Sequence, residues 1–102
     1  MWLTFDPQAG HEQMGVRPAV VLSPLVYNER SSLILVVPVT RQIKGYPFEV
    51  LLPEDLPVSG AVLADQLKSV DWRARKARFI DSLPEAVVKT ILHRAGLLLS
   101  PG

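Results

Sequence analysis

The chain has 102 residues, 48% of them hydrophobic, with 11 Lys and Arg against 10 Asp and Glu for a net charge of +1. This suits one globular domain, 1–102, with enough apolar material for a core, and it excludes an intrinsically disordered chain. The lack of cysteine excludes disulfides and thiolate metal sites, no apolar run reaches the roughly 20 residues that span a bilayer, and a basic surface must come from local clustering; the expected protein is soluble and cytoplasmic.

The first element is "WLTF" (2–5), a strand ended by Asp6-Pro7. "GHEQMGVRPAVVLSP" (10–24) begins as a turn-like segment carrying Glu12 and Arg17. Its second half, "PAVVLS" (18–23), is a continuous apolar run, as expected of a central strand buried on both faces. "SLILVVPVT" (32–40) is a second such run. Pro38 has no N–H to give to a ladder, which predicts a bulge or an edge near the end of that strand. "PFEVLL" (47–52), "GAVLADQ" (60–66) and "VDWRARKARFI" (70–80) complete the β pattern.

The period changes at the C-terminus. Ser82 is the expected N-cap, with Pro84 in the first turn and Glu85 three residues after the serine, the pattern of a capping box. Val87, Val88, Ile91, Leu92, Ala95, Leu98 and Leu99 recur at spacings of three and four, which makes one apolar stripe. Gly96 is expected to weaken or end the helix. The fold class is therefore mainly β with a C-terminal α-helix: five to seven short strands in a strongly bent antiparallel sheet or partly open barrel. A parallel sheet would need helices between its strands, and the middle of the chain offers no helical pattern.

The familiar site motifs are missing. There is no P-loop and no GxGxxG. His11 and His93 are far apart, with no ligand spacing, so neither a metal nor a cofactor is expected. The Glu12–Arg17 pair has two readings: a solvated salt bridge worth about 0–1 kcal/mol, or a general base beside a guanidinium that steadies charge on a phosphate. "DWRARKAR" (71–78) sets Arg73, Arg75, Lys76 and Arg78 beside Trp72. It reads either as a nucleic-acid contact or as a solvated basic strand face with the tryptophan in the core. Thr40, ahead of Arg41, Gln42 and Lys44, is either a donor to a phosphate oxygen or a local turn cap. Asp65, Gln66 and Lys68 form a polar patch that an ordinary turn would also explain.

Taken together, "FDP" (5–7), "GHEQMGVRPAVVLSP" (10–24), "VPVT" (36–40), "KGYPFEV" (44–50) and "ADQLKSVDWRAR" (64–75) resemble, in order and spacing, the MazF/PemK/Kid family of toxin ribonucleases. The resemblance implies an SH3-like barrel, a homodimer and a metal-independent endoribonuclease that cuts single-stranded RNA, often mRNA, at short sequence motifs. It also implies a cognate MazE-like antitoxin whose acidic C-terminal segment fills the RNA groove. It places Glu12, Arg17 and Thr40 on the catalytic positions. The 2′-hydroxyl would attack the adjacent phosphorus and leave 2′,3′-cyclic phosphate and 5′-hydroxyl ends. Asp6, Gln13, Lys44, Gln66, Lys68 and Arg73 are the expected RNA contacts. Two departures stand out. Relatives carry about ten residues ahead of "FDP", so the first strand is shortened or the true start lies upstream, a short strand of about 3 residues still being viable. Val16 replaces a residue that is polar in some relatives, which bears on the cleavage motif. The alternatives are a gyrase poison like CcdB on the same barrel, although "LLLSPG" offers no aromatic or charged tail for that task, and a non-cleaving RNA-binding module.

Overall fold

The computed structural model describes residues 2–5, 17–75 and 77–101, with 2–5, 17, 80 and 81 given in backbone alone. Asp6, Glu12 and Gln13 therefore lie outside the described residues. In chain order the elements are β1 (Trp2–Phe5), β2 (Arg17–Val21), α1 (Leu25–Ser31), β3 (Leu33–Thr40), β4 (Glu49–Leu51), β5 (Ala61–Leu63), β6 (Lys68–Asp71), β7 (Arg78–Asp81) and α2 (Glu85–Leu97). The strands form one sheet in the order β4-β5-β3-β2-β1-β7, with β6 also on β3. Every pairing is antiparallel. β4 and β7 stand at the two ends of this path, so the barrel is open, as expected from the run of short strands.

β3 organises the sheet. One of its edges pairs with β2, Val21↔Val36 to Ala19↔Pro38. Its other edge changes partner along its length, from β6 at Leu33–Val36 to β5 at Val39–Thr40. Pro38 falls in the gap between those two partners. The bulge expected there is absent from the β2 side, where the register is unbroken. A residue with no N–H instead occupies a stretch where the outer ladder is interrupted.

The expectation that 18–23 is buried on both faces holds. Val20 and Val37 pack on one side with Val50, Val62, Leu83 and Ile91, beneath α2. Ala19, Val21, Ile34, Val36 and Val70 form the opposite cluster. Alternation along two adjacent strands gives each cluster its share of six buried residues, Val20 and Val37 on one side and Ala19, Val21, Ile34 and Val36 on the other.

Three expectations need correction. The run 70–80 is not one strand. The Asp71 Oδ1 accepts hydrogen bonds from the N–H groups of Arg73 (3.1 Å) and Ala74 (3.0 Å), which turns the chain over 72–75 and separates β6 from β7. A helix, α1, stands where no periodicity suggested one. Finally, α2 begins at Glu85 with Pro84 as its N-cap, and the Pro84 carbonyl accepts from Val87 and Val88 N–H. Gly96 lies within this helix. Its apolar stripe is narrower than expected: Ile91 and Ala95 are buried, whereas Leu92, Leu98 and Leu99 are exposed.

Candidate active site

Thr40 ends β3, half-buried, and its Oγ1 accepts the N–H of Gln42 at 3.1 Å. This local turn bends the chain away from the sheet. Beneath it Gly60 has φ +118°, and a Cβ at that position would lie 2.0 Å from the Thr40 carbonyl oxygen. Only glycine admits both that backbone and that approach, so Gly60 is what lets β5 close against the Thr40 end of β3.

The segment after Thr40 is held from below. Glu49, at the start of β4, is 7% exposed. Its carboxylate accepts the Lys44 N–H through both oxygens (3.2 and 3.1 Å) and the Gly45 N–H at 2.7 Å. Gly45 has φ +79°, which lets the chain turn back over the carboxylate. From α2, Arg94 donates to the carbonyls of Pro47 (3.0 Å) and Glu49 (2.8 Å). Thr40, Gln42, Lys44 and Tyr46 thereby form one wall of a cleft of about 190 Å³, with Asp65 and Gln66 on the facing side.

Arg17 belongs to the same end of the sheet. It opens β2, opposite Phe5 of β1. The β2–β3 register, continued two positions past Ala19↔Pro38, sets Arg17 level with Thr40. The segment that carries Glu12 leaves β1 at Phe5 and enters β2 at Arg17, so both of its anchors lie at this end. Of the expected site residues, the structure thus gathers Thr40, Lys44 and Gln66 around one cleft, with the backbone of Arg17 alongside.

Lys68 and Arg73 are placed elsewhere. Lys68 is exposed opposite Val36, midway along β3. Arg73 lies beyond the far end of that strand, its guanidinium 4.7 Å from the centre of the Trp72 ring and donating to the Glu29 carbonyl at 3.4 Å. Trp72 is half-buried against the second core cluster, gives its Nε1–H to the Asn28 carbonyl (2.9 Å), and meets Phe79 edge-on. Its role there is packing. Tyr46 and Glu49 fall inside the "KGYPFEV" motif with no role assigned by the sequence, and nothing in the sequence marks Arg94; the turn residue Gly45, four positions before Glu49, is the one local signal for this arrangement.

Among the described residues no group of three His, Asp or Glu side chains is arranged to hold a metal ion. A profile of the PemK-like, MazF-like toxins of type II toxin–antitoxin systems matches residues 1–99. The chain is 56% identical over 77 residues to the endoribonuclease toxin MazF of Escherichia coli K12, covering 76% of this chain and 68% of that protein. It is 33% identical over 105 residues to the E. coli endoribonuclease PemK, covering 98% and 79%. The toxin chain in a MazE–MazF crystal structure from Deinococcus radiodurans superposes with a TM-score of 0.88 at 42% identity, over 99% of this chain and 92% of that one.

Proposed function

Since the chain belongs to the PemK-like, MazF-like toxin family of type II toxin–antitoxin systems, we propose that it is an endoribonuclease toxin that cuts single-stranded RNA at short sequence motifs without a metal ion. The observation that most supports this site is the strand register: from the Ala19↔Pro38 pair each strand runs two residues further, β2 to Arg17 and β3 to Thr40, at the sheet end from which the Glu12 segment departs.

In the mechanism, Glu12 takes the proton of the ribose 2′-hydroxyl. The 2′-oxygen forms a bond to the adjacent phosphorus, and the bond from phosphorus to the 5′-oxygen breaks. Arginine side chains stay protonated at neutral pH, so Arg17 serves chiefly to stabilise the negative charge of the phosphorane, and a water molecule donates the proton that the departing 5′-oxygen takes up. The Thr40 hydroxyl already accepts the Gln42 N–H, which leaves its own hydrogen to donate to a nonbridging oxygen. The products are a 2′,3′-cyclic phosphate and a 5′-hydroxyl. DNA lacks the nucleophile and is not cut. Lys44 and Gln66 hold the substrate at the cleft, Asp6 and Gln13 supply further RNA contacts, and Lys68 and Arg73 serve as weaker flanking contacts.

The partner is a cognate antitoxin, whose acidic C-terminal segment competes with RNA for the cleft, and the toxin works as a homodimer in the cytoplasm. No helix among the described residues is long and apolar enough to cross a membrane. The gyrase-poison alternative finds no support, since the relatives matched are endoribonucleases.

The test is cleavage of a long single-stranded transcript in EDTA by wild type, Glu12→Ala and Arg17→Ala. Cutting by wild type, with each variant slowed by about 100-fold or more, is the expected result. Binding of the transcript without cleavage would instead favour the non-cleaving module, and cleavage abolished by EDTA would remove the metal-free scheme.

A further inference from the structure

Among the described residues two polar side chains are buried, Asn28 and Glu49. Asn28 is accounted for by structure: its Nδ2 donates to the Ser23 carbonyl, its Oδ1 accepts from the Ser23 hydroxyl, and that same hydroxyl oxygen accepts the Leu35 N–H. Glu49 is different. Its side-chain hydrogen bonds all go to the segment that walls the cleft, and it is itself a cleft-lining residue. A carboxylate accepting backbone N–H groups forms charge-assisted bonds, stronger than those between neutral partners. Arg94 fixes the backbone beneath it through two further bonds to the carbonyls of Pro47 and Glu49. Thr40 does not depend on this arrangement, because the pairing with Ala61 of β5 holds it directly.

We infer that Glu49 is a positioning residue for RNA binding: its buried carboxylate, clamped on the Lys44 and Gly45 amides, holds residues 41–46 as the wall on which Lys44 and Tyr46 meet the substrate. This rests on the ribonuclease reading. Because the Thr40 anchor is separate, loss of the carboxylate loosens substrate capture and leaves the chemical step intact. A purely structural role would do the reverse of this split, lowering the folded fraction and leaving KM unchanged for the molecules that remain folded.

The experiment compares wild type, Glu49→Ala and Glu49→Gln by steady-state cleavage of a short RNA containing the mapped cut site, alongside amide hydrogen exchange across 41–46. Glu49→Ala is expected to raise KM by about 10-fold, to change kcat by less than about 3-fold, and to lose protection at the Lys44 and Gly45 amides. Glutamine retains one acceptor oxygen but turns an NH₂ toward the Lys44 N–H, so Glu49→Gln should fall between alanine and wild type in KM. An unchanged KM in folded Glu49→Ala overturns the proposal, as does a loss of kcat at constant KM. Should Glu49→Ala not fold, the ranking rests on Glu49→Gln, for which an unaltered KM is likewise fatal. If wild type cuts no RNA at all, the ribonuclease reading fails by itself. The exchange data then judge Glu49 alone: protection lost only within 41–46 supports it as the clamp, and unchanged protection overturns it.

Discussion

At the Leu33 end of β3, polar and aromatic side chains satisfy one another. Trp72 donates to Asn28, Asp71 accepts from Ser32 and from the turn that follows it, and Arg73 covers the Trp72 ring. At the Thr40 end, similar residue types face a cleft. There the buried acid takes backbone amides for partners, and Thr40, Gln42, Lys44 and Gln66 turn toward open space. The same strand therefore has polar groups paired within the fold at one end, beside an apolar hollow of about 140 Å³ lined by Val21, Leu25 and Phe79, and polar groups facing a cleft at the other. Hydrogen-bonding groups satisfied within the fold stabilise it; those aimed at a cavity give their energy to whatever enters.

Substitutions at the two ends should separate along this line. The largest effect is expected from Gly60→Ala, whose Cβ collides with the Thr40 carbonyl at a φ that costs other residues about 1–3 kcal/mol. Cleavage should fall by about 100-fold or more, with a lower urea midpoint; a fully active Gly60→Ala would mean that Thr40 need not sit where it does. Thr40→Val preserves shape and removes the hydroxyl, so kcat should fall by about 10- to 100-fold, the range for one hydrogen bond to a charged group, with a stability loss of at most about 1 kcal/mol for the missing bond from the Gln42 N–H. At the other end, Trp72→Phe removes the bond to Asn28 and should cost about 1 kcal/mol of stability in urea titrations, leaving the folded protein's cleavage rate intact. Arg73→Ala sharpens the contrast: as a flanking contact it should raise KM by less than Lys44→Ala does, and an equal rise would make the Leu33 end as much a part of the RNA surface as the cleft.

The smallest effect concerns acid. The Ala74 N–H, followed by the Ser32 hydroxyl and the Arg73 N–H and charge, holds the Asp71 carboxyl below its ordinary value. A carboxyl lowered on folding stabilises the protein above its unfolded value of about 4 and loses that contribution as pH falls through the folded value. Asp71→Asn should therefore be slightly less stable than wild type at pH 7, and the gap in urea midpoints should shrink progressively below about pH 4. A gap independent of pH would assign the effect to turn geometry rather than to charge.

Much of this was legible in the sequence where side-chain period and burial agree. The run 18–23 is apolar without a break because both of its faces are covered, and the spacing of Val87, Val88, Ile91 and Ala95 matches a helix packed on one side. α1 escaped notice for the opposite reason: Leu25 and Val26 are 62% and 60% exposed, and its buried residue is the polar Asn28. No amphipathic pattern can be read from a helix whose apolar residues face outward. Thr40, Lys44 and Gln66 stand out in the sequence as polar residues at strand ends, family resemblance gives them roles, and they share a cleft. Glu49 carries no such signal, because a glutamate in a strand ordinarily marks a solvent face. Its partners come from a glycine turn and from a helix more than forty residues away, which only the folded chain brings together.

The pairing of β1 with β7 sets Leu3 beside Phe79, so one flank of β1 stays uncovered until nearly all the described chain exists. Closing so long a loop is slow, and it comes after the local pairings that need no such closure. On its other flank β1 pairs with β2 through Phe5↔Arg17, so the strand that carries the upstream anchor of the Glu12 segment sits between an early neighbour and a late one.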